Sequence, residues 1–257
     1  YFAGGDHFWE AFVGFDNYVK AFKTKKFLDA FVYTIKVTLV AVVAINVVSL
    51  AMALLATSLN KGAAAYRTIY FLPNLLGGLA LGYIWQFIFE IVFSKILFGE
   101  DGIISIPALC NMTQDNTKAL FALVMLITWQ MAGYMMIIYI AGLQSIPGDI
   151  IEAAEIDGAN KIQTLFKVTI PMMMPSITIC MFLSITNGFK LFDQNLSLTA
   201  GEPSKMSEMM ALNIFNTFYG RTGWEGVGQA KAVIFFAIVV VIGMIQLRAT
   251  RSKEVQQ

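Results

Sequence analysis

The chain has 257 residues with a net charge of +1; 57% are hydrophobic, 13% aromatic and 14% charged, and the mean hydropathy is +0.66. Soluble domains carry about 25% charged residues, so an ordinary water-soluble globule, a disordered chain and a nucleic-acid-binding arm are excluded. A charge this close to zero gives no reason to expect a polyanion, so no nucleic acid partner is expected.

Residues 1–27 mix aromatic side chains (Phe8, Trp9, Phe12, Phe15, Tyr18, Phe22, Phe27) with Lys20, Lys23, Lys25 and Lys26. That mixture predicts one or two short helices lying at a membrane interface. Beyond them, charge is absent from 37–60, 68–89, 119–148, 168–189 and 232–247. A hydrocarbon core of about 30 Å is crossed by about 20 helical residues, and lipid leaves no backbone group unpaired unless the segment is helical. The fold class predicted is therefore all-α, a polytopic helical membrane protein. Its five spans fall at about 32–58, 68–93, 119–143, 168–190 and 227–248 within a transmembrane domain at 28–250, followed by a tail at 251–257.

Details within the spans follow from single residues. Lys36, near the start of the first span, is expected to snorkel. Pro73 with Gly77 and Gly78 predicts a kink in the second. The fifth reaches spanning length only if 227–230 join it, so Lys231 must snorkel or find a partner. Residues 102–114, uncharged and containing Pro107, read as an external loop or an interfacial helix. Cys110 and Cys180 stand far apart in this topology, so no disulfide is expected. The methionines read as packing rather than as metal ligands. Charge alone does not orient the chain. The 61–67 loop and the C-terminal tail favour the cytoplasm, whereas the lysines at 20–26 weigh against that orientation.

The segment between the third and fourth spans, 145–170, is too structured for a connector. Pro147 suits a first helical turn, with Asp149 and Glu152 near its positive end. Ile151, Ala154 and Gly158 share a small apolar face. Gly158 can stop this helix, and Asn160 with Gln163 can cap a second. On the residues alone, the elbow either docks another protein or packs on its own bundle.

The run Glu152-Ala153-Ala154-x-x-Asp157-Gly158-Ala159, with Ile170-Pro171 further on, resembles the EAA signature of bacterial ABC-importer membrane subunits. FVGFDNYVKAF (12–22), YRTIYFLPN (66–74), Trp129 with Tyr134, and LTAGEP (198–203) resemble the carbohydrate-uptake branch, most of all its maltose-type first membrane subunit. Glu202 departs from that branch's usual double glycine. The resemblance implies a type I transmembrane domain, a further span ahead of the first one here, an external 1–27 segment, and a cytoplasmic elbow and tail in the bacterial plasma membrane. It also implies a second permease subunit, a cytoplasmic ATPase dimer and an extracytoplasmic solute-binding protein. Within it, Glu152 is a polar anchor for the ATPase, Ala153 and Ala154 allow close approach, Asp157 caps or pairs, and Gly158 forms the bend.

No phosphate-binding loop is present, so ATP would be bound by the partner and this chain needs no cofactor of its own. One histidine and no carboxylate-rich span argue against an enzyme, a metal site and a proton-driven carrier. Candidate sugar-contacting residues are Trp129, Gln130 and Tyr134 in the third span, with Gln130 and Tyr134 four apart on one face, and Asn187 and Lys190 at the end of the fourth. Lys190 can equally pair with Asp193 or lie above the hydrocarbon. The alternatives are the same machine moving a polyol phosphate or oligopeptide, and a secondary carrier.

Overall fold

A computed structural model of the chain describes residues 13–59, 61–99 and 102–251. The expectations for Phe8, Trp9 and Phe12, and for the tail beyond Arg251, lie outside the described residues. The helices, in chain order, are α1 (Asp16–Lys23), α2 (Lys25–Ser58), α3 (Ala63–Phe71), α4 (Gly78–Phe87), α5 (Asn116–Gln144), α6 (Gly148–Ile156), α7 (Lys161–Thr164), α8 (Ile170–Met172), α9 (Met174–Phe189), α10 (Asp193–Leu198), α11 (Met210–Tyr219) and α12 (Glu225–Arg251). There is no strand among the described residues.

Four helices are long and apolar enough to cross a membrane: Lys25–Ser58, Gly78–Leu97, Asn116–Gln144 and Glu225–Thr250. A fifth candidate is the pair Lys161–Met172 and Met174–Phe189, bent by 72°. Pro171 lies just ahead of that bend and removes a backbone donor there. The second span differs from the 68–93 read in the sequence. Pro73 does more than kink it: a 3₁₀ turn at Leu72–Leu75 gives way to extended backbone at Leu76, and the apolar helix restarts at Gly78 and runs on in a π-helical stretch, Ile88–Leu97.

The chain folds as two compact units. One comprises Tyr1–Thr38, Gly78–Leu123 and Phe189–Val240. Here α10 lies against α4 because Gly78 and Gly82 leave room for it; a Cβ at Gly82 would collide with Ser197, and one at Gly78 would meet Asp193 at 2.7 Å. The α11 N-terminus is satisfied from α2: Met210 N–H donates to Thr34 Oγ1 at 2.8 Å. Phe27, Ala30 and Met210 form its buried cluster, with Phe31, Ile234 and Phe235 packed around them. The 102–114 segment folds back, with Ile104 N–H donating to Leu97 and Lys118 Nζ donating to the Cys110 carbonyl at 2.8 Å.

The other unit comprises Leu39–Gly77, Val124–Gly188 and Val241–Gln257. Its polarity is inverted relative to a soluble bundle. Leu39, Val43 and Val47 are exposed at helical spacing on α2, whereas Asn46 on the same helix joins three helices inside. Tyr139 of α5 donates to Asn46 Oδ1 at 2.6 Å, and Asn46 Nδ2 donates to Ser184 Oγ of α9 at 3.0 Å. Polar glue inside and apolar side chains outside is the arrangement a lipid solvent selects. Cys110 and Cys180 are both free thiols.

Candidate functional site

The elbow at 145–170 is built by local signals. Pro147 sits one position earlier than expected, at the N-cap of α6 with extended backbone, and Asp149 falls in the first turn. The helix ends in a Schellman arrangement: Gly158 N–H bonds to the Glu155 carbonyl and Ala159 N–H to the Ala154 carbonyl, both at 3.0 Å. Gly158 takes φ +81°, a left-handed conformation that disfavours a Cβ. Two residues later Asn160 and Gln163 close a reciprocal capping box, with N···O distances of 2.8 and 2.9 Å, and α7 begins.

This geometry divides the signature residues between two faces. Ile151 lines a cleft with Leu54 of α2, Leu143 and Ile146, and Ala154 is half-buried. Glu152, Ala153, Asp157 and Gly158 are exposed. Ile156, 80% exposed, adds an apolar side chain beside them, and Ile162 and Phe166 do the same across the turn. The elbow therefore packs one face on its own bundle and leaves the other, small, acidic and apolar, exposed. Of the two roles the sequence leaves open for this helix, packing on its own bundle is the one seen here.

The residues read as sugar contacts fall in different settings. Trp129 is 41% exposed and Tyr134 36%, while Gln130, between them on α5, is 8% exposed. Gln130 lies 3.4 Å from the carbonyl of Leu76, the extended residue of the broken second span. Three residues along α5, Gly133 packs directly against the Tyr70 carbonyl, and Phe71 lies 6.4 Å ring to ring from Tyr134. Asn187 is exposed and donates to Leu183 at 2.8 Å. Lys190 is exposed beyond the end of α9 and belongs to the other unit. The Asn46–Tyr139–Ser184 network was not read from the sequence, although an asparagine inside a charge-free run was a visible signal for it.

The LTAGEP turn has its own organiser. Asn195 is buried; its amide nitrogen donates to Thr199 and to the Ser207 carbonyl, and its oxygen accepts from Met209 N–H. Glu202, the departure from the family pattern, accepts from Ser204 N–H and pairs with Lys205 at 3.3 Å. The Lys205 bond and then the Ser204 N–H hold its carboxyl below the usual range. Among the described residues, no group of three or more His, Cys, Asp or Glu is placed to hold a metal ion.

Helices long and apolar enough to cross a membrane, with exposed apolar faces and polar ties between them, define a polytopic helical membrane protein. The chain belongs to the family of binding-protein-dependent transport system inner membrane components, whose model matches residues 18–252. It is 42% identical, over 95% of its length and 82% of the relative's, to the probable starch degradation products transport system permease protein of Thermoanaerobacterium thermosulfurigenes. It is 31% identical to the multiple sugar-binding transport system permease protein of Streptococcus mutans over 95% of its length and 83% of the relative's. It is also 31% identical to the sn-glycerol-3-phosphate transport system permease protein of Escherichia coli, over 94% of its length and 81% of the relative's. Its fold matches a subunit of the bacterial ABC transporter that imports the acidic polysaccharide alginate, with a TM-score of 0.78, 19% identity, and 94% of this chain and 84% of that one covered. It is thus a membrane-embedded transport protein and not an enzyme.

Proposed function

We propose that this chain is the membrane-spanning permease subunit of an ATP-driven, binding-protein-dependent sugar importer of the bacterial plasma membrane, forming half of the translocation pathway. The observation that carries this reading is the 42% identity, across nearly the whole chain, to a permease named for starch degradation products. The second half of the pathway is another permease subunit. The ATP is bound by a cytoplasmic ATPase dimer, and an extracytoplasmic binding protein delivers the sugar.

In this reading the exposed face of α6 enters a groove on one ATPase subunit, a helix-in-groove contact. Glu152 supplies a polar anchor, Ala153 permits close approach, and the left-handed Gly158 turns the chain without a side chain in the way. Closure of the ATPase dimer on ATP swings the bundle between inward- and outward-facing states by rigid-body movement. Trp129 and Tyr134 offer aromatic faces to the apolar side of a sugar ring, and Asn187 is proposed to bond its hydroxyls.

A second reading is transport of a polyol phosphate, favoured by the 31% identity to the glycerol-3-phosphate permease. The test is uptake by the reconstituted assembly with its cognate binding protein, comparing labelled starch-derived oligosaccharide with labelled glycerol 3-phosphate. Oligosaccharide uptake dependent on ATP is expected. Uptake of glycerol 3-phosphate alone would replace the sugar reading with the second.

A further inference from the structure

The unit containing α1, α11 and the first part of α12 holds a cavity of about 280 Å³ that the transport reading does not use. Its lining includes Lys26, Lys205, Arg221 and Lys231 but a single carboxylate, Glu208. That carboxylate is already occupied: Asn213 and Asn216 donate their amides to its two oxygens at 2.7 and 2.5 Å. Lys231 is 2% exposed, held by Asn213 Oδ1 at 2.9 Å and Thr217 Oγ1 at 2.8 Å, with its ammonium 5.2 Å from the centre of the Phe27 ring. A buried ammonium is costly unless neutralised or well bonded, and both of these partners are neutral. Lys205 shares its charge with Glu202, which leaves Lys26, Arg221 and Lys231 facing the cavity in excess over Glu208. The walls also offer hydroxyl and amide groups from Thr24, Thr217 and Asn216.

The position of the cavity narrows the ligand. Lys231 is the last charge on α12 before the charge-free run 232–247, so the cavity lies where an apolar helix meets its polar end. Beside it Val19 and Phe22 of α1 and its N-cap Phe15 are exposed at helical spacing, the face of an interfacial helix. That boundary is the level of phospholipid headgroups, whose phosphates are recognised by basic pockets between spans.

We propose that this cavity is a binding site for a phosphate-class oxyanion, supplied by an anionic phospholipid headgroup or by free phosphate. Arg221 and Lys26 supply the accessible donors, and Lys231 supplies a fixed positive charge in the wall.

The test uses the full chain in its assembled complex, wild type against Arg221→Gln and Lys26→Gln. Both side chains are exposed, so neither substitution opens the core. Inorganic phosphate is titrated in detergent at constant ionic strength and its affinity read from thermal stability. Phosphatidylglycerol retained per complex, after transfer from phosphatidylcholine–phosphatidylglycerol nanodiscs, is counted by native mass spectrometry. Losing one charge-assisted contact should weaken phosphate binding about tenfold. If retained phosphatidylglycerol also falls in the variants, the headgroup is the source. If retention is unchanged while phosphate affinity falls, free phosphate is. The proposal is overturned if phosphate affects wild type and variants equally and lipid retention does not change. Weaker capture of the binding protein alongside those unchanged readouts would assign these cations to that protein instead.

Discussion

Two glycines show how the same residue type serves opposite needs. Gly133 has no room: a Cβ there would drive into the backbone of Tyr70 and come within 2.8 Å of Phe71 nitrogen. Backbone cannot rotate aside as a side chain can, so Gly133→Ala should cost about 1–3 kcal/mol, the range for overpacking. Gly158 has space on every side, with nothing within 4 Å of a Cβ, and needs glycine only for φ +81°. Gly158→Ala should therefore carry just the left-handed backbone penalty of about 1–2 kcal/mol. Thermal unfolding of the two variants in the assembled complex checks the pair. The expected outcome is a lowered midpoint for both, with transport retained by Gly158→Ala. Neither reason was visible in the sequence for Gly133, because its neighbour Tyr70 is distant along the chain. For Gly158 the reason was visible, because a glycine after a capped apolar run is a local signal.

At the scale of elements, the elbow and the spans were legible for the same reason. The cap residues Asn160, Gln163 and Gly158 act within a few positions of themselves, and charge-free runs of spanning length report the lipid directly. What stayed hidden was set by contacts distant along the chain. The second span reads as continuous apolar sequence with a proline, yet it breaks fully at Leu76, where Gln130 of α5 lies beside the freed carbonyl. The six residues of α10 carry no helix signal of their own and depend on the surface that Gly78 and Gly82 leave open. Lys231 was read as either snorkelling or partnered, and it is partnered by Asn213 and Thr217 of α11. Two expectations follow for elements. Asn160→Ala removes the capping box at a cost of about 1 kcal/mol, so amide exchange over 160–169 should speed up about fivefold while the spans keep their protection. Trp129→Ala, on the exposed face of α5, should abolish sugar uptake while the complex still assembles; unchanged uptake would remove Trp129 from the pathway.

For the whole molecule, the family and the five apolar segments were legible, but the division into two units was not. Three of the boundaries of those units fall inside α2, α5 and α12, and no composition change marks these three. The proposed function makes the chain a transmission part: in that reading the ATPase dimer binds the nucleotide and drives the chain through the exposed face of α6. The most direct measurement is ATPase-subunit retention and ATP-driven sugar uptake on one reconstituted preparation of Gly158→Arg, with Gly158→Ala as control. Both variants bear the same backbone strain, so the difference between them reports the contact. The expected result is that Gly158→Arg reaches the membrane at the control level, loses its ATPase subunit and transports nothing. Full uptake by Gly158→Arg would contradict the account.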